Sequence, residues 1–201
     1  MRDINHNPNE PEIDVSRPNN SEVQEDNENV TKTGTTTVGI AVDDGVVIAT
    51  DRRASLAGRF VASKDVVKVE QIHPHGAITL VGSVGGAQDF ADHLRAEASL
   101  YESRRNETMS MHALASLAGN FARGGPFMRI NPILGGVDDD GSHVYTIDPA
   151  GGVMDEDYTV TGSGMQVAYG TLEENYEENM DMEEATRVAA QSVRSAAERD
   201  T

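Results

Sequence analysis

The junction between Gly34 and Thr35 carries residue types that suit a self-cleaving chain with a threonine nucleophile. A threonine hydroxyl is a weak nucleophile and needs an adjacent base. If the bond before Thr35 were cut, its own α-amine would lie beside its hydroxyl. An α-amine has a pKa of about 8 and is therefore partly neutral near pH 7. Gly34, without a side chain, lets this bond adopt a strained turn that the Thr35 hydroxyl can attack. Taken alone, the junction also fits an ordinary strand start.

A charged pair is the second feature that could support such a nucleophile. Asp51 directly follows a predicted strand, and Lys68 stands among valines. The chain has three lysines against 13 arginines, so a lysine kept in an apolar segment is predicted to be semi-buried and paired. An Asp51–Lys68 pair beside Thr35 would hold its hydroxyl and lower the cost of removing its proton. The alternative is a solvated strand end and a surface lysine.

Two glycine-bearing segments have weaker signals. Residues 82–86 read Gly-Ser-Val-Gly-Gly and precede a predicted helix, but they do not form a nucleotide-binding fingerprint. Backbone N–H groups at such a turn could instead stabilise a tetrahedral oxyanion. The Gly-Ser-Gly at 162–164 and the Arg-Asp at 199–200 are adequately explained by a turn and a helix end.

Composition excludes several classes of function. The 201 residues include no cysteine, which excludes disulfide scaffolds, cysteine nucleophiles and thiolate metal sites. The six histidines are scattered without an HExxH motif, so we expect neither a metal nor a cofactor. A formal net charge of -18 repels phosphate backbones, so we expect no nucleic-acid partner. A strongly acidic, lysine-poor surface suits concentrated salt and indicates a cytoplasmic protein of a halophile, the alternative being an acidic protein from an ordinary source.

The first 34 residues differ in composition from the rest of the chain. They contain seven Asn, three Pro, eight acidic residues and no aromatic residue, so they cannot bury enough apolar surface to offset ordering. We expect residues 1–34 to be a disordered segment, either a removable propeptide or a solvated tail without a role. No apolar run is long enough for a transmembrane helix, and the N-terminus has no secretory h-region.

The remaining residues, 35–201, predict one α+β domain. A helix is expected from the apolar stripe at 90–101, another from an N-cap at Ser110, and two more at 165–178 and 182–199. Strands are predicted at 35–42, 46–50, 77–81, 132–137, 143–147 and 153–161, with weaker signals over 60–71 and a hairpin joining the first two. The order is typical of two packed sheets with helices outside. Because the last helix barely ends at Thr201, we expect further strands beyond it.

Several motifs, in order and spacing, resemble the archaeal proteasome β subunits, a family of N-terminal threonine peptidases, and the acidic character resembles a haloarchaeal member. The resemblance covers residues 33–201 and rests on the segments 33–40, 49–55, 68–69, 82–88, 147–152, 161–164 and 196–200. It implies the N-terminal nucleophile hydrolase fold, a four-layer αββα sandwich, here with the C-terminal strands missing. It also implies that residues 1–34 are a variable propeptide removed by autocatalysis.

The resemblance further implies roles for individual residues. Thr35 would be the nucleophile and, once freed, its amine the base. The supporting residues would be Asp51 and Lys68 as a pair, Ser163 and Asp200 around the Thr35 amine, and the Gly82 N–H as oxyanion donor. Ser55 and Val84 would hold the substrate backbone, while Ala54 and Leu80 would line an apolar pocket suited to chymotrypsin-like cleavage.

The resemblance also implies an assembly. Family members form seven-membered β rings, capped by α rings and served by an unfolding ATPase, and they degrade unfolded proteins. Two other hypotheses stay open at this point. One is a non-catalytic, structural β-ring subunit, and the other is a ligand-binding module with an acidic tail.

Overall fold

The computed structural model describes residues 34–56, 60–124 and 130–200. The segment predicted as a disordered propeptide therefore lies, apart from Gly34, outside the described residues. The described residues form ten strands and four helices: β1 (Thr36–Val42), β2 (Gly45–Thr50), β3 (Ala54–Leu56), β4 (Phe60–Ser63), β5 (Val69–His73), β6 (Gly76–Thr79), α1 (Val84–Arg105), α2 (Met111–Ala122), β7 (Ile133–Asp138), β8 (Gly141–Ile147), β9 (Val153–Asp155), β10 (Tyr158–Gly162), α3 (Met165–Asn175) and α4 (Met182–Ala197). The α+β class predicted from the sequence is confirmed.

The strand β1 lies at the centre of a three-stranded antiparallel sheet, between β10 and β2. The predicted hairpin of β1 and β2 is confirmed. On one face of β1, Val38 and Ile40 are fully buried in a cluster that includes Leu172 of α3 and Ala189 of α4. Helices α3 and α4 therefore cover this sheet, and the start of β1 is held by a partner strand on each side.

A five-stranded antiparallel sheet, in the order β5-β6-β7-β8-β9, carries the other two helices. Ile78 and Leu134 of the sheet pack with Phe90 and Leu94 of α1 and Leu114 of α2 in a second apolar cluster. Helix α2 begins as predicted, because the Ser110 side chain accepts a hydrogen bond from the Ala113 N–H at 3.2 Å and caps the helix.

The two sheets contact each other through small residues and hydroxyl groups. A Cβ atom on Gly39 of β1 would lie 2.8 Å from a Val144 methyl and 2.9 Å from an Ile133 methyl of the larger sheet. The Thr146 and Thr159 hydroxyls are 2.6 Å apart across the same contact. Larger side chains at Gly39 would separate the sheets, so this close approach requires glycine.

Four predicted features of the secondary structure are wrong. The single strand expected at 153–161 is two strands, and β9 and β10 belong to different sheets. The chain changes sheet between them: the Glu156 N–H bonds to the Val144 carbonyl, and the Asp157 carbonyl accepts from the Ala41 N–H. Helices α3 and α4 end before the predicted 178 and 199, and α1 begins inside the glycine segment that was expected to precede it. Among the described helices, none is long and apolar enough to span a membrane.

Candidate active site

The Gly34–Thr35 junction lies immediately before β1. Thr35 is 2% exposed, so its side chain is held inside the fold rather than at a free end. The next residue is fixed on both sides, because Thr36 pairs with Gly162 of β10 and its carbonyl accepts from the Asp51 N–H at 3.2 Å. The backbone around the predicted cleavage site is therefore anchored to the smaller sheet.

Lys68 contacts both residues of this junction. Its Nζ lies 3.2 Å from the Thr35 Oγ1 and 2.9 Å from the Gly34 carbonyl oxygen. A third bond, of 2.8 Å, goes to Asp51 Oδ1. An ammonium group has three N–H donors, and these three acceptors use all of them. The burial and pairing predicted for Lys68 are observed, since it is 5% exposed.

Asp51 connects this lysine to the backbone of the junction. Its Oδ1 also accepts from the Arg53 N–H at 2.8 Å, and its Oδ2 accepts from the Thr36 N–H at 2.7 Å. The Asp51 side chain is 10% exposed. A carboxylate in this position needs both the lysine charge and the backbone donors to offset its loss of water. The pair therefore has one fixed geometry beneath Thr35.

Ser163 contacts Thr35 directly, and Asp200 is linked to the junction through Ser163. The Ser163 Oγ accepts from the Thr35 N–H at 3.1 Å. The same hydroxyl donates to Asp200 Oδ2 at 2.5 Å, which is shorter than its 3.3 Å distance to the Thr35 carbonyl oxygen. Ser163 follows β10 and Asp200 follows α4, so two distant segments of the chain meet at the Thr35 nitrogen.

Glycines on both sides of Ser163 permit this approach. Gly162 has a φ of +95°, and a Cβ atom there would lie 2.0 Å from the Thr35 carbonyl oxygen. At Gly164, a Cβ atom would lie 2.1 Å from the Thr36 Oγ1. Neither position can carry a side chain unless the backbone next to Thr35 moves.

The remaining predicted residues lie in β3, which contains Ala54 and Ser55, and in the segment that leads from β6 into α1. Ser55, 1% exposed, accepts from the Gly34 N–H through its Oγ at 2.7 Å. Gly82 has a φ of +112° and precedes α1, and Val84 is the first residue of that helix and 40% exposed. Leu80, for which a pocket-lining role is expected, is 7% exposed and belongs to the apolar cluster under α1.

A separate titratable cluster lies at the turn between β7 and β8. Asp138 accepts from the Met111 N–H at 2.6 Å and the Asp140 N–H at 3.0 Å, and His143 lies 3.3 Å away. Burial acts to raise the pKa of Asp138, but the two N–H donors and His143 outweigh it and hold that pKa below 3.8. Burial, and to a smaller extent the nearby Asp155, raises the pKa of Tyr145 to about 12.

In the part of the chain that the structure describes, no group of three or more histidine or acidic residues is arranged to hold a metal ion.

Several contacts of the site were not anticipated from the sequence. The Ser55 hydroxyl binds Gly34 itself, and the Arg53 Nη1 donates to the Ala197 carbonyl at 2.6 Å, which ties the Asp51 loop to the end of α4. The sequence offers a signal for Arg53, which stands two residues after Asp51. Ser55 has no distinctive local pattern, because it is a serine in a short strand, and only the resemblance to a family singled it out.

The sequence of this chain is similar to those of known proteins. A family model described as "Proteasome subunit" matches residues 31–201. The chain is 70% identical over 195 residues to "Proteasome subunit beta 1" of Haloterrigena turkmenica, covering 97% of this chain and 80% of that protein. It is 73% identical over 176 residues to "Proteasome subunit beta" of Halorhabdus utahensis, covering 88% and 75%. It is 64% identical over 201 residues to the protein of that name from Halomicrobium mukohataei, covering 100% and 84%.

Proposed function

Because the chain belongs to the proteasome β subunit family, we propose that it is a catalytic subunit of the proteasome core particle. In this proposal it is a threonine endopeptidase that degrades unfolded proteins and is activated by self-cleavage between Gly34 and Thr35. Members of the family are generally threonine peptidases, although some are inactive. The choice between the two therefore depends on the site of this chain.

The observation that carries the proposal is the position of Lys68. Its Nζ reaches the hydroxyl that would attack, at 3.2 Å, and the carbonyl oxygen that would be attacked, at 2.9 Å. A positive charge beside both atoms favours removal of the hydroxyl proton and stabilises negative charge on the carbonyl oxygen. A subunit that served only as a wall of the ring would need neither contact.

Self-cleavage is proposed to run in two steps. The Thr35 Oγ1 forms a bond to the Gly34 carbonyl carbon, the bond from that carbon to the Thr35 nitrogen breaks, and the hydroxyl proton ends on this nitrogen. The product is an ester between Gly34 and the Thr35 Oγ1. Water then hydrolyses the ester, which releases residues 1–34 with a carboxyl end and leaves Thr35 with a free amine and a free hydroxyl.

Peptide hydrolysis then uses the amine that self-cleavage creates. The amine takes the proton of the Thr35 Oγ1 as that oxygen attacks a substrate carbonyl, and the proton passes to the leaving amine when the peptide bond breaks. Water hydrolyses the resulting ester. Ser163 and Asp200 are proposed to orient the amine, and the 3.1 Å contact of Ser163 to the Thr35 nitrogen supports this. The Gly82 N–H is proposed as the oxyanion donor.

Substrate binding is proposed for the residues around the junction. Ser55 and Val84 would hold an extended substrate backbone, as the exposure of Val84 and the contact of Ser55 with Gly34 support. Ala54 and Leu80 would make the pocket for the side chain before the cut apolar, which suits a chymotrypsin-like preference. Since Leu80 is buried under α1, its share in that pocket requires the substrate to reach this cluster.

The proposed assembly follows from the family. The helices on each sheet and the contacts between the sheets support a four-layer αββα sandwich of the N-terminal nucleophile hydrolase type. We propose that this domain forms a heptameric β ring, of one or several β types, with α subunits above it and an unfolding ATPase that supplies substrates in the cytoplasm. Enclosure in such a chamber would keep an unspecific peptidase from the proteins of the cell.

The experiment that separates a catalytic from a structural subunit measures peptide hydrolysis by assembled particles. Particles with Thr35→Ala should assemble and lose hydrolysis of peptides with an apolar residue before the cut. Thr186→Ala is the matched control, because Thr186 is exposed on α4 and its hydroxyl bonds to the Met182 carbonyl of the same helix. Equal hydrolysis by the Thr35→Ala and control particles would make this chain a structural subunit.

A further inference from the structure

The candidate active site is built from both sheets. Thr35 belongs to the smaller sheet, because it directly precedes β1, and Asp51 directly follows β2. Lys68 belongs to the larger sheet, since it precedes β5 and its carbonyl accepts from the Leu80 N–H at 2.7 Å. The 3.2 Å contact between Lys68 Nζ and the Thr35 Oγ1 therefore joins the two sheets. Its length depends on how one sheet is placed over the other.

Part of the contact between the sheets is apolar. A Cβ atom on Gly135 of β7 would lie 2.8 Å from a Val46 methyl and 2.9 Å from an Ile48 methyl, both of β2. Hydrophobic contacts are non-directional. They therefore oppose separation of the sheets more than sliding of one sheet over the other.

A chain of hydrogen bonds, in contrast, has a direction. The Thr161 Oγ1 donates to the Asn131 carbonyl oxygen at 2.9 Å and lies 2.7 Å from the Thr37 Oγ1. Because Asn131 takes the single hydrogen of the Thr161 hydroxyl, the Thr37 hydroxyl must donate to Thr161. Thr37 is fully buried and Thr161 is 3% exposed, so the fold rather than solvent fixes these two side chains.

One end of this chain of bonds belongs to the smaller sheet, next to the candidate active site. Thr37 pairs with Thr161 across β1 and β10. Thr37 lies two residues after Thr35, and Thr161 lies two residues before Ser163. Side chains two residues apart on a strand lie on the same face. The paired threonines therefore share a face of the sheet with the two residues that meet at the Thr35 nitrogen.

The other end of the chain of bonds belongs to the larger sheet. Asn131 lies two residues before β7, and the carbonyl of the next residue, Pro132, accepts from the Ile147 N–H of β8 at 3.1 Å. A second polar contact between the sheets joins Thr146 of β8 to Thr159 of β10, with 2.6 Å between their hydroxyl oxygens. Two directional contacts thus oppose sliding of the sheets.

We propose that Thr161 is a positioning residue for peptide hydrolysis. Together with Thr37 it fixes the offset between the sheets at which Lys68 Nζ meets the Thr35 Oγ1. The inference rests on the proposed function. Because Lys68 contacts the nucleophile, a changed offset should slow the reaction step more than it weakens substrate binding. A misplacement of about 1 Å costs roughly 100-fold in rate, so a smaller shift should cost about tenfold.

The first test measures kcat and KM for peptide hydrolysis by assembled particles. Thr161→Val replaces the hydroxyl with a methyl group of similar size and should lower kcat about tenfold, with KM within about twofold of wild type. Thr161→Ser keeps the hydroxyl and should bring kcat back to within about threefold. Ser192→Ala is the matched control for loss of a buried hydroxyl, because Ser192 is fully buried and bonds to the Val188 carbonyl within α4.

The second test asks whether the two polar contacts oppose the same displacement. Thr146→Val should lower kcat by less than Thr161→Val, because Thr161 lies nearer to Ser163 in β10 than Thr159, the partner of Thr146. The double variant should lose more than the product of the two single losses, since each contact limits sliding when the other is absent. Thr37→Val removes the same chain of bonds from its other end and should lower kcat about threefold.

A wild-type kcat in both Thr161→Val and Thr37→Val would overturn the inference. So would a loss in Ser192→Ala as large as that in Thr161→Val, or a double variant that shows only the product of the single losses. These results leave the proposed function intact as long as wild-type particles hydrolyse the peptide. If the wild-type particles do not hydrolyse it, the proposed function fails, and the inference fails with it.

Discussion

The Ser163 Oγ lies 3.1 Å from the Thr35 nitrogen and 2.5 Å from Asp200 Oδ2, so a serine links an acidic side chain to the atom that self-cleavage would free. The serine hydrogen is directed at Asp200, which leaves an oxygen lone pair for the Thr35 N–H. The nitrogen that is proposed to act as the base is thus already held before any amine exists. In the proposed mechanism, the uncut chain therefore already holds this nitrogen in place, although the base itself forms only after the cut.

Removing this serine should slow hydrolysis more than self-cleavage. In Ser163→Ala the Thr35 amine loses an orienting partner, so we expect kcat for peptide hydrolysis to fall roughly 10- to 100-fold, in the range of one lost positioned hydrogen bond. The nitrogen is an amide until the cut, and its position is also fixed by β1, so loss of residues 1–34 should slow by less. Steady-state kinetics and mass spectrometry measure the two. Equal slowing of both reactions would contradict a role centred on the amine.

Gly162 should be intolerant of alanine because of its contact with Thr35. Gly162→Ala combines a φ of +95° with a Cβ atom 2.0 Å from the Thr35 carbonyl oxygen, so the nucleophile must shift. Gly141→Ala is the matched control, with a φ of +126° and open space around its Cβ atom. Each substitution should destabilise the fold by about 1–3 kcal/mol through backbone strain. Only Gly162→Ala should also lower peptide hydrolysis by more than tenfold, and intact activity in that variant would contradict the close approach.

Part of the fold and of the candidate site could be predicted from the sequence, and part could not. The hairpin of β1 and β2 and the buried, paired state of Lys68 were predictable, because β-branched runs, an Asp-Gly turn and a rare lysine each have a local signal. The meeting of Ser163 with Asp200 at Thr35 was not, since it depends on how β10 and α4 end in space. The resemblance to a family supplied these two residues, whereas their own sequence context is that of a turn and a helix end.

The wrong prediction of one strand at 153–161 has a similar cause. The apolar and β-branched residues at both ends favour extended structure, and the one local signal of a break is the acidic triplet at 155–157, whose residue types are depleted in strands. The break comes from tertiary hydrogen bonds, because the Glu156 N–H bonds to β8 while the Asp157 carbonyl bonds to β1. The sheet that each strand joins is determined by the packing of the two layers, and the local sequence does not indicate it.

The Asp51–Lys68 pair should show strong coupling in stability. In a Thr35→Ala background, which keeps all chains uncut, Lys68→Met leaves the Asp51 carboxylate buried without its cation. This should lower the free energy of unfolding by about 3–5 kcal/mol. Adding Asp51→Asn removes that charge and should recover part of the loss. Denaturant unfolding of the four variants measures the coupling, and strictly additive losses would contradict a buried pair.

The acid dependence of stability should reveal Asp138. Because its pKa is held below 3.8 in the folded chain, its ionised form stabilises the fold above that value, and the contribution is lost as pH falls through the lowered pKa. Asp138→Asn should therefore be less stable than wild type at pH 7 by about 1–2 kcal/mol, since bonds to a charged acceptor are stronger. The difference should shrink below pH 3.8. Denaturation midpoints across this range check it, and a constant difference would contradict the assignment.

The most direct test of the account is the N-terminal residue of the subunit in assembled particles. Intact-mass measurement and N-terminal sequencing of the wild-type chain should find Thr35 at the start, with residues 1–34 gone. Thr35→Ala should retain these residues, because it lacks the attacking hydroxyl, whereas Thr35→Ser keeps one and should still lose them. A wild-type chain that begins upstream of Thr35, or a Thr35→Ala chain cut at the same bond, would contradict self-cleavage by Thr35.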